Sequence, residues 1–276
     1  MPKTRKFRSL FLSDIHLGTR DCQADLLIDF LRHHDADTIY LVGDIVDGWR
    51  LKRHWNWPQA HNDVVQKLLR KGRKGAKLIY IPGNHDEFLR SYLGVQLGVV
   101  ELVDRCIHVD AKGRSHLVIH GDQFDMIVKH ARVFAYLGDW AYEAAMVLNR
   151  WLNRTRRLLG LSYWSISAWA KYRVKTAVNF ISSFEETLAL EAKRSDADGV
   201  VCGHIHHAII TDHHEVSYMN CGDWVESCTA LAEDEEGNFE LLTWKEIREE
   251  QDEAALEEEA SVPSGVIPIF PPAKAA

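Results

Sequence analysis

Five short motifs in this chain bring together side chains able to hold metals and to move protons. They are Asp14-Ile15-His16, Gly43-Asp44, Gly83-Asn84-His85-Asp86, His120-Gly121-Asp122 and Gly203-His204-Ile205-His206. Carboxylate, carboxamide and imidazole donors in this mixture suit Mn, Fe or Zn rather than Ca or Mg. Asp14, His16, Asp44, Asn84, His120, His204 and His206 make seven candidate ligands, too many for one tetrahedral site. Two metals sharing one bridging carboxylate fit the count. Such a pair clamps an in-line displacement at phosphorus and brings a bound water toward hydroxide near neutral pH. Any one motif alone also reads as an ordinary turn, since Gly, Asn and Pro are common turn residues. Their repetition, each after an apolar run, is what points to chemistry.

The runs that must position these residues are strands. Residues 7–14, Ile39–Val42, Lys77–Ile81, Leu117–Ile119 and Val200–Cys202 each lead directly into a motif. Between the first three, Cys22–His34 and Asn62–Lys71 carry apolar residues at helical spacing. Strand alternating with helix predicts a parallel sheet with crossover helices, whose ligand site lies at the carboxyl ends of the strands. Trp49–Trp57, rich in Trp, Arg and Lys, reads as an aromatic and basic loop. Phe124–Arg194 has no strand pattern and reads as helical, with Ser162 a candidate cap. Strands are expected again at Ala208–Thr211, Val216–Met219, Ser227–Ala232 and Phe239–Trp244, with a hairpin turn at Glu236-Gly237-Asn238. Lys245–Glu259 is an acidic helix candidate, and Val262–Ala276, with Pro263, Pro268, Pro271 and Pro272, reads as a disordered tail.

The 276 residues suffice for one large core or a core with a subdomain, and 46% hydrophobic with 26% charged residues is ordinary for a globular protein. No apolar run approaches the roughly 18 residues of a membrane span, and the basic Met1–Arg8 stretch is not followed by a secretory pattern. The cysteines, Cys22, Cys106, Cys202, Cys221 and Cys228, are scattered and odd in number, so free thiols are expected, as in a cytoplasmic protein.

The order DxH, GD, GNHD, HGD, GHxH resembles the calcineurin-like metallophosphoesterase superfamily, over residues 14 to 206. The resemblance implies a four-layer αββα sandwich within the α/β class. It also implies that Asp14, His16, Asp44 and His206 hold one metal, while Asp44, Asn84, His120 and His204 hold the other. Asp44 is then the bridge, and Mn is the favoured metal. At the position of His85 the family places a group that meets the leaving-group oxygen. Asp47 is the candidate carboxylate to hold that histidine's tautomer, although an Asp there also suits a loop that bonds its own backbone. Asp86 and Asp122 read as supporting or turn residues. His33, His34, His61, His108, His116, His130, His207, His213 and His214 read as surface or structural.

On this basis residues 1–123 and 195–245 form the metallophosphoesterase core, 124–194 a helical cap insertion, and 246–276 the acidic helix and tail. The insertion is basic and aromatic: Lys129, Arg132, Arg150, Arg154, Arg156, Arg157, Lys171, Arg173 and Lys175 share it with Trp140, Trp151, Trp164 and Trp169. That mixture suits an anionic lipid or membrane surface, with Lys171, Arg173 and Lys175 as substrate contacts. A helical hairpin packing its own aromatics is the alternative. The fuller motifs, Ser13–Gly18, Gly83–Phe88, His120–Asp125 and Tyr218–Trp224, are similar to the UDP-2,3-diacylglucosamine diphosphatase group. This implies cleavage of the pyrophosphate of a diacylated sugar nucleotide in lipid A synthesis, at the inner membrane. The well-known lipid A enzymes carry Arg where this chain has His85. A soluble metallophosphodiesterase or phosphatase acting on nucleotides, or on another anionic phospholipid, is the other reading. No nucleic-acid module is recognised.

Overall fold

The computed structural model describes residues 4–124, 167–213 and 215–248, with the side chains of 167–180 outside that description. The strands are β1 (Arg5–Leu12), β2 (His34–Val42), β3 (Lys77–Ile81), β4 (Gln96–Leu97), β5 (Val100–Leu102), β6 (Cys106–Val109), β7 (Ser115–Val118), β8 (Gly199–Cys202), β9 (Ile209–His213), β10 (Val216–Asn220), β11 (Thr229–Glu233) and β12 (Phe239–Thr243). The helices are α1 (Ala24–His33), α2 (Gly48–Arg53), α3 (Gln59–Arg73) and α4 (Ser167–Arg194). One sheet runs β12-β11-β1-β2-β3-β5-β4, the other β6-β7-β8-β10-β9.

Period-two alternation in the strands separates three apolar layers. In β1, Leu10 and Leu12 face α1 and α3, while Phe11 turns to the second sheet. The same holds for Ile39 and Leu41 against Tyr40 and Val42, and for Leu78 and Tyr80 against Ile79 and Ile81. In the second sheet Val118, Val201 and Met219 face the first. Leu117, Val200, Cys202 and Tyr218 face α4, which answers with Phe184, Leu188, Ala189 and Ala192. Helix, sheet, sheet, helix is therefore the four-layer α/β sandwich expected. From Phe184 onward α4 is the outer core layer, although these residues fall within the span 124–194 assigned to the cap. Within that span residues 125–166 lie outside the described residues, as does most of the acidic helix and tail, 249–276.

The parallel pairings β1–β2, β2–β3 and β7–β8 align the strand ends. The ladder continues into the motifs: Asp14 N–H donates to Gly43 O at 3.0 Å and His16 N–H to Asp44 O at 2.9 Å. On the second sheet Gly203 N–H donates to His120 O at 3.2 Å.

Three differences from the sequence reading have local causes. The stretch after Asp47 is not a loop but starts as helix α2, because Asp47 Oδ1 accepts from Arg50 N at 2.8 Å and caps it. Six residues are too few to show a helical period. Strands β4, β5 and β6 were not anticipated, as two to four residues carry no alternation to read. β2 begins at His34 rather than Ile39, directly out of α1 without a connecting loop. The hairpin turn at 236–238 forms as expected: Asp234 Oδ1 accepts from Glu236 N at 3.0 Å and Asn238 N at 2.8 Å, and Gly237 takes φ +76°. All five cysteines are free, and burial pushes the thiols of Cys22, Cys106 and Cys202 up to about 12.

Candidate metal centre

Asp14, His16, Asp44, His204 and His206 all take positive φ, between 50° and 72°. Left-handed backbone is costly for non-glycine residues and concentrates where function requires it. Here it turns each side chain back over the end of its strand. Three clusters result, one of them formed by His16, Asp47 and His85. Ligand atoms of Asp14, His16 and His206 lie within 4.8 Å of one another, and so do those of Asp44, His120 and His204. His206 Nε2 is 3.2 Å from Asp14 Oδ1, and His120 Nε2 is 3.4 Å from Asp44 Oδ2. Asp14, Asp44, His120, His16 and His204 are buried, while His206 is open to solvent and His85 partly so.

The cluster has the marks of a cation site. Asp14 Oδ1, His16 Nε2, Asn84 Oδ1 and His120 Nε2 are buried, with no hydrogen-bond partner among the described residues. Buried polar atoms are otherwise almost always paired. The opposite edges of the rings are occupied: His120 Nδ1 donates to Val42 O at 2.9 Å, and His16 Nδ1 lies 3.4 Å from Asp47 Oδ2. Such contacts fix the tautomer that leaves Nε2 as the ligand atom. Burial works against charge on His120, but Asp44 outweighs it and raises the ring's pKa to about 10. Burial would likewise raise Asp44, but His120, His85 and His16 hold its carboxyl below the usual range. The residues thus fit divalent metal ions in donor type, in bare ligand atoms and in negative charge.

Glycines make the approach of the motifs possible. A Cβ on Gly83 would lie 2.3 Å from Asp44 Oδ1 and 2.6 Å from His120 Nε2, inside contact distance of two candidate ligands. One on Gly203 would lie 2.4 Å from Asp14 Oδ2. The carboxylates are pinned in turn by backbone amides: His85 N–H donates to Asp44 Oδ1 at 2.8 Å and His204 N–H to Asp14 Oδ2 at 2.9 Å.

His85 faces the centre with Nε2 4.0 Å from Asp44 Oδ2. Its Nδ1 is 3.0 Å from Asp47 Oδ2, an ion-pair distance with imperfect hydrogen-bond alignment. Burial favours the neutral ring; Asp47, Asp44 and Asp14 override it and raise the pKa above 6.5. Asp47 therefore serves three partners, His85, His16 and the amide of Arg50. Of the two readings, the backbone cap is present as a hydrogen bond, and the approach to His85 is a 3.0 Å contact.

Some supporting residues were understated by sequence reasoning. Asp86 is fully buried and accepts from Ile45 N at 2.8 Å, Gly83 N at 2.5 Å and Tyr80 Oη at 2.5 Å, locking the second motif to the third. Asp122 receives Arg90 through both oxygens at 2.8 Å. His61, read as structural, accepts from Gly18 N at 3.1 Å and braces the first motif's loop. Asn220 Nδ2 donates to Gly203 O at 2.8 Å; a polar residue ending an apolar strand was the available signal. His34, His108 and His116 are buried away from the centre, whereas His130 and His214 lie outside the described residues. Lys171, Arg173 and Lys175 lie in α4, in the part whose side chains are not described.

The family model for calcineurin-like phosphoesterases matches residues 7–208, and the chain belongs to that family. Among curated relatives, a UDP-2,3-diacylglucosamine hydrolase of Porphyromonas gingivalis is 28% identical over 128 residues, 44% of this chain and 48% of the relative. One from Salmonella agona is 24% identical over 222 residues, 76% of this chain and 85% of the relative. The chain spans about half the length of the first curated relatives it matches. A solved structure of a hypothetical protein from Pyrococcus horikoshii OT3 matches with TM-score 0.47 at 12% identity, covering 92% of this chain and 94% of that one. Among the described residues no helix is long and apolar enough to cross a membrane.

Proposed function

We propose that this protein is a dinuclear-metal phosphohydrolase that cleaves the pyrophosphate of a UDP-diacylglucosamine-like lipid precursor. One observation carries the chemistry: two separate ligand clusters stand at strand ends joined by backbone hydrogen bonds. In this reading Asp14, His16, Asp44 and His206 hold one metal, and Asp44, Asn84, His120 and His204 the other. Metals bound there, with Mn favoured and Fe or Zn as alternatives, would supply Lewis-acid polarisation of a phosphoryl group and a lowered pKa for water.

The chain's own contribution is proton placement. Asp47, 3.0 Å from His85 Nδ1, holds the imidazolium by its charge so that Nε2–H points into the centre. His85 then donates that proton to the leaving-group oxygen. The amides of His85 and His204 keep the carboxylates of Asp44 and Asp14 from rotating away, and Asp86 fixes the backbone of the motifs that carry Asp44 and Asn84.

The substrate reading is supported by the relatives' name and by the composition of residues 124–194, with Lys171, Arg173 and Lys175 as anion contacts. It places the protein on the cytoplasmic face of the inner membrane, peripherally. His85, standing where the well-known lipid A enzymes carry Arg, favours the second reading, a soluble metallophosphodiesterase acting on nucleotides. Release of nucleotide from a panel of lipid sugar nucleotides and soluble nucleotides, with Mn present, separates the two. Preferential turnover of the diacylated substrate is expected. Turnover confined to soluble nucleotides would overturn the lipid assignment.

A further inference from the structure

Beside the metal centre lies a cleft of about 340 Å³, lined by Thr19, Arg20, Arg50, Arg53, His54 and Asn56, together with Gly18 and Asp21. Its walls are the segments that immediately follow two ligand-bearing motifs. Gly18 to Asp21 continue from His16; Arg50 and Arg53 lie on α2, the helix capped by Asp47. The two walls are tied together, since a Cβ on Gly18 would lie 2.7 Å from Leu51 Cγ and Asp47 N–H donates to Leu17 O at 2.8 Å.

The charge in this cleft is unbalanced. Among the described residues, the guanidiniums of Arg20, Arg50 and Arg53 meet no acceptor, and Asp21 is the only carboxylate on the wall. Other arginines divide: Arg8 meets Glu233, Arg90 meets Asp122, Arg105 meets Glu191 and Arg114 meets Asp110, whereas Arg32 on α1 and Arg70 and Arg73 on α3 also meet no acceptor among the described residues but do not line this cleft. The chain as a whole carries a formal net charge of −7, so three unpaired arginines in one concavity run against its composition. Guanidinium forks converging on a cleft suit phosphate oxygens, which they bind in a bidentate manner. The volume sits at the lower end of the roughly 300–1,000 Å³ of small-molecule sites, enough for a headgroup and not for long acyl chains.

We infer that this cleft is a phosphate-binding subsite formed by Arg20, Arg50 and Arg53, for a phosphate group other than the one attacked at the metal centre. The group is either the second phosphate of a diphosphate substrate or the headgroup phosphate of an anionic lipid. The inference rests on the phosphohydrolase reading above and extends it to recognition.

The test compares the metal-loaded full chain with Arg50→Gln/Arg53→Gln and, separately, with Arg20→Gln. Two substrates are used, bis(p-nitrophenyl) phosphate with one phosphate and UDP-N-acetylglucosamine with two. The ratio of kcat/KM, two-phosphate over one-phosphate, is expected to fall about tenfold or more in the double variant, through KM, as charge-assisted contacts are lost. The loss should shrink at high salt, because the arginines are exposed. Sedimentation with phosphatidylglycerol vesicles forms the second arm. If the lipid is the source of the phosphate, wild-type protein sediments, the double variant does not, and the kinetic ratio stays put. An unmoved ratio together with unchanged vesicle binding overturns the subsite. If the double variant does not fold, Arg20→Gln is read in its place. If the wild type turns over neither substrate, the Kd of inorganic pyrophosphate replaces the ratio, and equal affinity in wild type and variants refutes the proposal. Failure of the lipid reading looks different: the diacylated sugar nucleotide goes uncleaved while turnover of the soluble diphosphate still depends on the arginines.

Discussion

At the scale of single residues, His85 is proposed to move a proton rather than to hold a metal. It faces the centre and groups with His16 and Asp47, outside the two clusters proposed to hold the metals. His85→Gln is expected to retain its metal content and lose roughly 10²–10⁴-fold in turnover, the usual size of a general-acid contribution. Elemental analysis beside steady-state kinetics checks both halves, and loss of metal in this variant would make His85 a ligand instead. A second histidine governs stability. His34 is buried against Phe30 and Trp244, with Nδ1 donating to Phe30 O at 3.0 Å. Burial lowers its pKa to about 4, the Phe30 carbonyl opposes this, and Arg5, His33 and Lys71 add to the lowering. At His34 the folded state therefore binds fewer protons than the unfolded state between pH 6.5 and about 4. The contribution of His34 to stability therefore falls as pH drops through that window. In His34→Gln the melting temperature should depend less on pH between 7 and 4.5 than in the wild type. Parallel profiles would show that another group is responsible.

At the scale of elements, what was legible was the joint between strand and turn. Phe11–Leu12, Leu41–Val42, Tyr80–Ile81 and Val201–Cys202 announced themselves as apolar runs, and the residues after them announced the ligands. The carrying geometry was less legible. The left-handed backbone at Asp14, His16, Asp44, His204 and His206 leaves no mark in residue type, since no glycine stands there. Asp47's bond to His16 joins two motifs across 31 positions, which local pattern does not report. α2 and the strands of residues 96–109 are too short for periodicity. Gly83 is a sharp test of this level. Gly83→Ala would push a methyl group into Asp44 and His120, so metal content and turnover should both fall, turnover by about 10²-fold or more for a misplacement of this order. Wild-type metal content would mean that the motifs approach less closely than described. The insertion supplies the other test. Because Phe184, Leu188, Ala189 and Ala192 belong to the core, a deletion must stop short of them. Replacing residues 129–166 by a short linker is expected to spare hydrolysis of bis(p-nitrophenyl) phosphate and to abolish turnover of the diacylated sugar nucleotide. Unchanged efficiency on the lipid would assign those residues to packing alone.

At the scale of the whole molecule, two sheets each deliver part of one centre. β1, β2 and β3 end at Asp14, Asp44 and Asn84; β7 and β8 end near His120 and His204. The apolar layer between the sheets, Phe11, Val42, Ile81, Val118, Val201 and Met219, sets the spacing at which carboxylates from one sheet meet imidazoles from the other. The central claim is that this meeting makes a two-metal hydrolase with Asp44 as the shared ligand. The most direct test measures metal content and bis(p-nitrophenyl) phosphate hydrolysis together, in wild type and Asp44→Ala, after loading with Mn and dialysis. Wild-type protein should hold about two ions per chain and turn the substrate over. Asp44→Ala should hold fewer and be inactive. Hydrolysis at the wild-type rate by Asp44→Ala, or by metal-free wild-type protein, would contradict the account.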